Sequence, residues 1–344
     1  MRHFIILSAF LLQIAAISCS CDNGQTAYDP PPPYTADEVE PFKVIGYLPT
    51  SAADYTPRWD KLSVINLSFA RVKADGTVDD EQVRKVFGDF AEKAHQNNVK
   101  VMVSLGGASG SENFNKALVS EDARKKIVEG CVALMEDLDL DGIDVDYEGW
   151  DWGDSPGNIP KKEGYLDLIT KLRKALGEDA LLTAALGGNA TESGFYTKEM
   201  LDQMDYVTLM AYDKTGSWSS TTGPHAPFWY FESFVQDCIE AGLPLEKIIP
   251  GVPFYGNIFP GNKPENARSM SYREIVTEYP GAENKDSIED IYLWYDGIPM
   301  ITEKCNYVVA NKLGGVMIWQ LAQDTDDDAR SLLCVIDSIL FPED

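Results

Sequence analysis

The run LDGIDVDYEGW, residues 140–150, places three carboxylic acids at every second position of an otherwise apolar segment. On a β-strand, residues two apart point to the same side, so Asp144, Asp146 and Glu148 share one face and the intervening residues share the other. The apolar face must pack against neighbouring elements, which turns the acidic face towards a poorly solvated interior. Three carboxylates cannot all ionise there at low cost, so we expect shared protons and at least one raised pKa.

The three acids lie at different depths along the strand, and this order suggests a role for each. Glu148 lies nearest the strand end and is the natural general acid, because a carboxyl with a raised pKa can donate a proton near neutral pH. Asp146 is expected to orient a substrate group or to exchange a proton with Glu148. The deeper Asp144 is expected to hold a proton that limits the repulsion. A solvated acidic strand would not explain the apolar alternation, and an EF-hand calcium site needs a glycine-turned loop.

The nucleophile stays open at this point. In ordinary retaining glycosidases a second carboxylate on another strand attacks the substrate, whereas in substrate-assisted enzymes the 2-acetamido group of the sugar attacks its own anomeric carbon. Three acids on one strand, of which only Glu148 lies near the surface, fit the substrate-assisted scheme better.

The elements that must position these acids follow a regular order from Lys43 onward, in which β-rich runs alternate with amphipathic helical patterns. Eight such strands, each followed by a crossover, predict an α/β fold, the (β/α)8 TIM barrel of about 250 residues. An open doubly wound sheet is the alternative, but no GxGxxG follows the first strand. The runs are KVIGYL at 43, LSVINLSFA at 62, VKVMVSLGG at 99, LDGIDVDYE at 140, LLTAALGG at 181, DYVTLMAYD at 205, IIPGVPFYG at 248 and GGVMIWQL at 314. The helical patterns include residues 79–97, 120–138 and 161–176.

In such barrels the site is built at the carboxyl ends of the strands, and polar or aromatic residues gather there in this chain. The stretch between Gly256 and Gly314 is longer than a loop and one helix require, so it predicts a short decoration between strands 7 and 8. The strand-end residues are Tyr47, Ser104, Glu148, Tyr212, Asp213, Tyr255 and Trp319.

The amino-terminal residues suggest export. Residues 1–21 have a basic start, an apolar stretch and small residues before Cys19, which is the layout of a secretory signal and resembles a lipoprotein signal. We expect a lipid anchor at Cys19 or Cys21, with plain cleavage of the signal as the alternative, and so a cell-surface or periplasmic protein. Residues 22–41 are polar and rich in proline and predict a semi-rigid tether, followed by the folded barrel domain over 42–344.

Composition limits the possible partners. The 344 residues carry 55 acids against 29 bases, a formal charge of −26, and no basic cluster suited to a phosphate backbone, so we expect no nucleic acid partner. The cysteines outside the export segment are far apart, and the chain has three histidines, so we expect no zinc or other metal site. We expect a monomer without a cofactor.

The quoted motifs resemble those of glycoside hydrolase family 18, the chitinase family. DGIDVDYE, residues 141–148, is similar to the DGxDxDxE signature of the catalytic strand, and the other motifs occur in the same order. These are VIGY at 44, SLGG at 104, LMAYD at 209, GVPFYG at 251 and LGGVMIWQLAQD at 313.

The resemblance implies a (β/α)8 barrel that cleaves β-1,4 bonds next to N-acetylglucosamine, with retention through an oxazolinium intermediate. Glu148 resembles the proton donor, and Asp146 resembles the residue that turns towards the acetamido group. Tyr212 resembles the phenol that binds the acetamido carbonyl, and Trp319 the floor under the sugar before the scissile bond. The other positions assigned to this site by the resemblance are Asp144, Asp213, Tyr47, Ser104, Tyr255 and Met210.

The substrate stays open between chitin-type glycans and the chitobiose core of N-glycans, which an endo-β-N-acetylglucosaminidase would cleave. An inactive glycan-binding barrel is a further alternative, although such proteins typically lack the acid at the position of Glu148. The sequence departs from the family after this residue, where Trp150 and Trp152 follow in GWDWGD. These two, with Trp218 and Trp229, fit either exposed sugar platforms or rim packing.

Overall fold

A computed structural model describes residues 42–149, 156–188 and 194–342 of the chain. The expected export segment 1–21 and tether 22–41 lie outside the described residues. The strands are β1 Lys43–Pro49, β2 Val64–Val72, β3 Val78–Asp79, β4 Lys100–Gly106, β5 Gly142–Asp146, β6 Leu181–Leu186, β7 Tyr206–Leu209, β8 Ile248–Pro253, β9 Tyr255–Ile258, β10 Arg268–Ser271, β11 Ser287–Ile288, β12 Leu293–Tyr295 and β13 Gly315–Trp319.

The helices of the described residues follow the strands with the expected alternation. They are α1 Glu81–Phe87, α2 Phe90–His95, α3 Ser111–Leu118, α4 Glu121–Asp137, α5 Ile159–Leu176, α6 Lys198–Leu201, α7 Phe228–Glu240, α8 Tyr272–Glu278, α9 Ile298–Ala310 and α10 Leu332–Leu340.

Eight parallel strands close into a barrel. The order is β1, β13, β8, β7, β6, β5, β4 and β2, and pairing between β1 and β2 completes the ring. The eight β-rich runs therefore form the eight barrel strands, and the predicted (β/α)8 TIM barrel is confirmed. Strands buried on both faces read as nearly continuous apolar runs, which is why these segments stand out in the sequence.

The hydrophobic core has two parts. A large cluster lies between the barrel and its helices, and a smaller one, which includes Ile45, Met102 and Met317, fills the barrel itself. Polar residues interrupt the inner cluster at one layer, where Ser104, Asp144 and Thr183 are register partners on three adjacent strands. The barrel interior is thus packed, with a polar layer beneath its carboxyl end.

The predicted decoration is an antiparallel sheet between β8 and β13. Its order is β10, β9, β12 and β11, and β9 begins two residues after β8 ends. Helix α8 belongs to the same insertion, and its first turn carries a capping box between Ser271 and Glu274. The sheet therefore extends the rim of the barrel on one side, next to the ends of β8 and β13.

One helical pattern differs from its expectation. The segment 79–97 forms two helices, α1 and α2, separated by Gly88 and Asp89. Both residues have low helix propensity, and Phe87 and Phe90 on either side pack edge to face, with ring centroids 5.4 Å apart. In the described part of the chain, no helix is both long and apolar enough to cross a bilayer.

Candidate active site

The acidic run lies on β5 with the orientation that its alternation predicts. Asp144 is fully buried and Asp146 is 3% exposed inside the barrel, and Glu148 follows two residues after the strand ends. On the outer face, Tyr147 packs against the rings of Phe114 on α3 and Tyr165 on α5. The three acids thus form a column that rises from the barrel interior to its carboxyl rim.

Asp144, at the base of the column, is held by three hydroxyl groups. Tyr47 and Ser104 each donate a hydrogen bond of 2.8 Å to Oδ2, and Thr183 donates one of 2.7 Å to Oδ1. Burial raises the pKa of Asp144, and the three hydroxyl donors oppose this rise because they stabilise the charged form.

Asp146, in the middle of the column, has no comparable support. Its Oδ1 atom is buried without a hydrogen-bond partner in the described part of the chain. Burial, followed by the charges of Glu148 and Asp144, raises the pKa of Asp146 well above its ordinary value. From the sequence we expected Asp144 to hold the shared proton. The hydrogen bonds favour Asp146 instead, because Asp144 has three donors that stabilise its charged form and Asp146 Oδ1 has none.

Glu148, at the rim, is partly buried and faces the cavity described below. Burial raises the pKa of Glu148 to about 7, the charge of Asp213 acts in the same direction, and a hydrogen bond from the backbone N–H of Ala108 opposes both. A carboxyl group with this pKa is half protonated near neutral pH, as a general acid requires.

The end of β4 comes close to the column because of two glycines. Gly106 has φ +124°, and a Cβ atom there would lie 2.1 Å from the carbonyl oxygen of Asp146. Gly107 then donates its N–H to that oxygen at 2.9 Å. The SLGG motif therefore permits a close approach of backbone to backbone beneath the site.

A cavity of about 150 Å³, here called the inner cavity, opens above Asp146 and Glu148. Trp319 forms one wall and stacks on Phe69, with ring centroids 5.7 Å apart and planes at 24°. An indole offers a flat apolar face of the kind that packs against the C–H side of a pyranose ring. Met210, Tyr212, Tyr47 and Asp213 line the same cavity.

Asp213 and Tyr255 form a second polar group beside the cavity. Asp213 has φ +59°, a left-handed conformation that aspartate tolerates better than most residues. The Tyr255 hydroxyl donates to Asp213 Oδ1 at 2.6 Å, and the buried His225 lies behind both. These contacts join the end of β7 to the first residue of β9.

Two further cavities adjoin the inner one. One of about 260 Å³ lies towards the antiparallel sheet and includes Asn257, and one of about 580 Å³ lies on the side of Glu148 and Tyr230. Asp213 lines all three, and Trp218, which is 67% exposed, lines the two outer ones. The three cavities form a cleft across the barrel mouth, and Trp218 is available to a ligand in it.

The residues assigned to the site from the sequence fall into three groups in the structure. Tyr255 lines the cavity towards the antiparallel sheet, whereas Ser104 and Asp144 lie beneath the cleft and reach it only through other residues. The other seven line the inner cavity: Glu148, Asp146, Tyr212, Asp213, Trp319, Tyr47 and Met210.

Several residues of this region were missed. Thr183 is the one polar residue in the run LLTAAL, and that interruption was a usable signal, whereas nothing in the sequence pattern marks Phe69 or His225. Trp229 is 58% exposed and lies beside the ammonium of Lys214, but it lines none of the three cavities. Trp150 and Trp152 lie outside the described residues.

The cleft offers carboxylates, phenols and indoles as its chemical groups. Over the three described ranges, no set of three or more His, Cys, Asp or Glu side chains is arranged to hold a metal ion. The arrangement suits proton transfer from Glu148 to a bound ligand, with Asp146 beside it.

Comparison with known proteins places this geometry in context. The family model for glycosyl hydrolases family 18 matches residues 43–324. Chitinase 1 of Aphanocladium album is 30% identical over 66% of this chain, which spans 62% of that relative's length. Chitinase B of Serratia marcescens is 26% identical over 84% of the chain and 77% of the relative.

Solved structures agree with these matches. A chitinase from Bacteroides thetaiotaomicron superposes with a TM-score of 0.78 and 30% identity, and the alignment covers 88% of this chain and 98% of that structure. The chitinase ChiB from the chitin utilization locus of Flavobacterium johnsoniae gives a TM-score of 0.71 and 28% identity over 87% and 94% of the two chains.

Proposed function

The chain belongs to family 18 of the glycosyl hydrolases, and on this premise we propose that it hydrolyses β-1,4 bonds next to N-acetylglucosamine in chitin-type polymers or oligomers. The observation that carries the proposal is the column of Asp144, Asp146 and Glu148, with one proton-donating carboxyl at the cleft and, beneath it, a second carboxyl whose Oδ1 atom has no partner in the described residues. The chitinases named above support the choice of substrate class.

In the first step, the Glu148 carboxyl gives its proton to the glycosidic oxygen. The bond from the anomeric carbon to that oxygen breaks, and the carbonyl oxygen of the sugar's own 2-acetamido group forms a bond to the anomeric carbon. The result is a cyclic oxazolinium ion and a free sugar hydroxyl. Because Asp146 Oδ1 is buried without a partner, it has a free position to accept a hydrogen bond from the acetamido N–H.

In the second step, the Glu148 carboxylate takes a proton from a water molecule that attacks the anomeric carbon. The oxazolinium ring opens, the acetamido group is restored, and the configuration at the anomeric carbon is retained. Trp319 supports the sugar ring from below in this scheme, and Tyr212 and Asp213 contact the acetamido group from the side of β7.

A carboxylate nucleophile is the mechanistic alternative, and Asp213 is the candidate because it also lines the inner cavity. Two features disfavour Asp213 as the nucleophile. Its Oδ1 atom already accepts a hydrogen bond of 2.6 Å from the Tyr255 hydroxyl, and the residue lies in the loop after β7 rather than on β5 with the other acids. A nucleophile stabilised by such a hydrogen bond is weakened.

The test offers the full chain three substrates and identifies the products by mass spectrometry. We expect chitohexaose to yield short chitooligosaccharides and cellohexaose to stay intact, because glucose units have no acetamido group. Hydrolysis of cellohexaose at a comparable rate would overturn the substrate-assisted mechanism and favour Asp213. Release of a glycan from a high-mannose glycopeptide, with one N-acetylglucosamine left on the peptide and chitohexaose untouched, would overturn the substrate and keep the catalytic residues.

A further inference from the structure

His225 lies behind the cleft in a network that the steps above do not use. It is 1% exposed, and its ring packs on the ring of Tyr255 with centroids 4.8 Å apart. Its Nε2 atom lies 3.2 Å from the backbone carbonyl oxygen of Tyr255, and the same tyrosine donates its hydroxyl to Asp213. His225 is therefore linked to the rim carboxylate through one residue.

The hydrogen bond at Nε2 decides where the ring carries its proton. A carbonyl oxygen can only accept, so Nε2 must be the N–H donor, and a neutral ring then has a lone pair at Nδ1. Nδ1 is buried without a hydrogen-bond partner in the described ranges, and it lies 3.6 Å from Asp213 Oδ1. Two acceptors that face each other repel, whereas a proton on Nδ1 converts the contact into an ion pair.

Charged groups face His225 from two sides. Asp213 faces the ring from the end of β7, and the buried Asp296, just before α9, interacts with it from the insertion side. Lys304 on α9 contributes one positive charge: its Nζ atom lies 2.5 Å from Asp296 and donates to the carbonyl of Ala226 at 2.7 Å. Lys304 thus balances Asp296, and in the described part of the chain the cation that Asp213 can pair with is a protonated His225.

We propose that His225 is a positioning residue that holds a proton at Nδ1 against the Asp213 carboxylate and so fixes Asp213 and Tyr255 beside the cleft. Its charge beside Asp213 then sets the upper pH limit at which Glu148 still donates its proton to the substrate. The inference rests on the proposed role of Glu148. The charge of Asp213 raises the pKa of Glu148, so a positive charge beside Asp213 lowers it again.

The first test is independent of catalysis. Ring nitrogens of the full chain, labelled with ¹⁵N at its three histidines, are followed by NMR across a pH titration in the wild type and in Asp213→Asn. We expect the neutral form of His225 to carry its proton at Nε2, and its charged form to persist to higher pH in the wild type than in Asp213→Asn. A proton at Nδ1 in the neutral form, or identical titrations in both proteins, would overturn the proposal whatever the substrate is.

The second test is the pH dependence of kcat/KM on a chitooligosaccharide for His225→Gln, whose amide can still donate to the Tyr255 carbonyl. We expect lower activity and a basic limb shifted upward by about half a pH unit, because the uncompensated Asp213 charge keeps the proton on Glu148. The matched control is His95→Gln, since His95 contacts Asp141 at the opposite end of the barrel and its loss leaves the limb in place.

A purely structural role predicts a different result for His225→Gln, namely reduced activity with a basic limb that coincides with the wild type. That result contradicts the proposal. If His225→Gln does not fold, the NMR comparison of the wild type with Asp213→Asn still tests the role of His225. If no substrate is hydrolysed at all, the proposed function is wrong, but the NMR comparison still tests the contact between His225 and Asp213.

Discussion

At the scale of single residues, the site gives three acids of one strand three different environments. Asp144 accepts three hydroxyl hydrogen bonds, Asp146 accepts none at Oδ1, and Glu148 combines burial with a nearby charge. Environments that separate the pKa values of neighbouring acids also separate their chemical roles. Protons are therefore held at Asp146 and Glu148, and Asp144, with its three hydroxyl donors, is the acid best suited to carry a charge.

The role of Glu148 can be tested by replacement with Gln. The amide preserves the shape of the side chain but has no proton to give, so kcat on chitohexaose should fall at least about 10²- to 10⁴-fold. Binding of the intact oligosaccharide, measured by calorimetry, should stay close to that of the wild type. A variant that hydrolyses chitohexaose at the wild-type rate would remove Glu148 from its proposed role.

The raised pKa of Asp146 predicts that the stability of the folded protein depends on pH. Its pKa in the folded chain is raised, so the folded state binds more protons than the unfolded one, and the wild type loses stability as the pH rises. Asp146→Asn has no such group, so we expect it to be more stable than the wild type at pH 8, by about 1–3 kcal/mol, with the difference vanishing towards pH 4.

Thermal unfolding of both proteins at a series of pH values checks this expectation. Asp54→Asn is the matched control, because Asp54 is exposed and its replacement should leave the pH dependence of the wild type unchanged. A constant difference between Asp146→Asn and the wild type from pH 4 to pH 8 would contradict the raised pKa.

The sequence predicted the residues whose signal is local and missed those defined by distant contacts. The alternation of Asp144, Asp146 and Glu148 can be read along one strand. Thr183 and His225, in contrast, matter because β6 lies next to β5 in register and because the loop after β7 folds against β9. Such contacts depend on tertiary packing, and a single sequence carries no pattern for them.

At the scale of elements, a buried ion pair joins the insertion to the barrel. Lys304 on α9 is fully buried and contacts Asp296, which is 3% exposed and directly follows β12. The ammonium also donates to the Ala226 carbonyl in the loop after β7 and lies 5.3 Å from the centroid of the Phe231 ring on α7. One side chain thus ties three segments together behind the cleft.

Lys304→Met should destabilise the protein strongly, because it leaves the Asp296 carboxyl buried without its cation. Removal of one partner of a buried pair typically costs about 3–5 kcal/mol. The double variant Lys304→Met with Asp296→Asn should recover part of this loss, since no charge is then left unpaired. Urea denaturation at pH 7 checks both, and a double variant that is as unstable as Lys304→Met contradicts the account.

The barrel strands and the helices that follow them were predictable for a physical reason, and the strands of the insertion were not. A strand buried on both faces needs a long apolar run, and all eight runs stand out. The four short strands of the insertion have 2–4 residues each and are held by cross-strand partners such as Ser269 and Asn257, so the sequence indicated a decoration without its topology. The break between α1 and α2 depends on how Phe87 and Phe90 pack.

At the scale of the whole molecule, the net charge of −26 affects the encounter with substrate. Neutral chitooligosaccharides do not respond to this field, whereas partly deacetylated chitin carries ammonium groups and is attracted. We expect kcat/KM for partly deacetylated chitin to fall several-fold between low salt and 0.5 M NaCl. Mobile ions limit the range of charge–charge attraction to about 10 Å at 0.1 M salt and to a shorter distance at higher salt.

The same salt series on fully acetylated chitohexaose is the control and should change kcat/KM little. Equal salt dependence for the two substrates would show that long-range attraction does not contribute to the encounter.

The insertion leaves the barrel at the end of β8 and returns through α9 to β13, and these two strands are neighbours in the ring. The sheet of β9 to β12 can therefore vary in length without disturbing any other strand pair. The loop between β9 and β10, residues 259–267, lies outside the contacts of Tyr255 and Asp296 with the barrel, and its end at Ala267 lines the cleft. A longer loop there would deepen one side of the cleft while β5 and its acids keep their places. Diversification of glycan preference in such a barrel can proceed through this single loop.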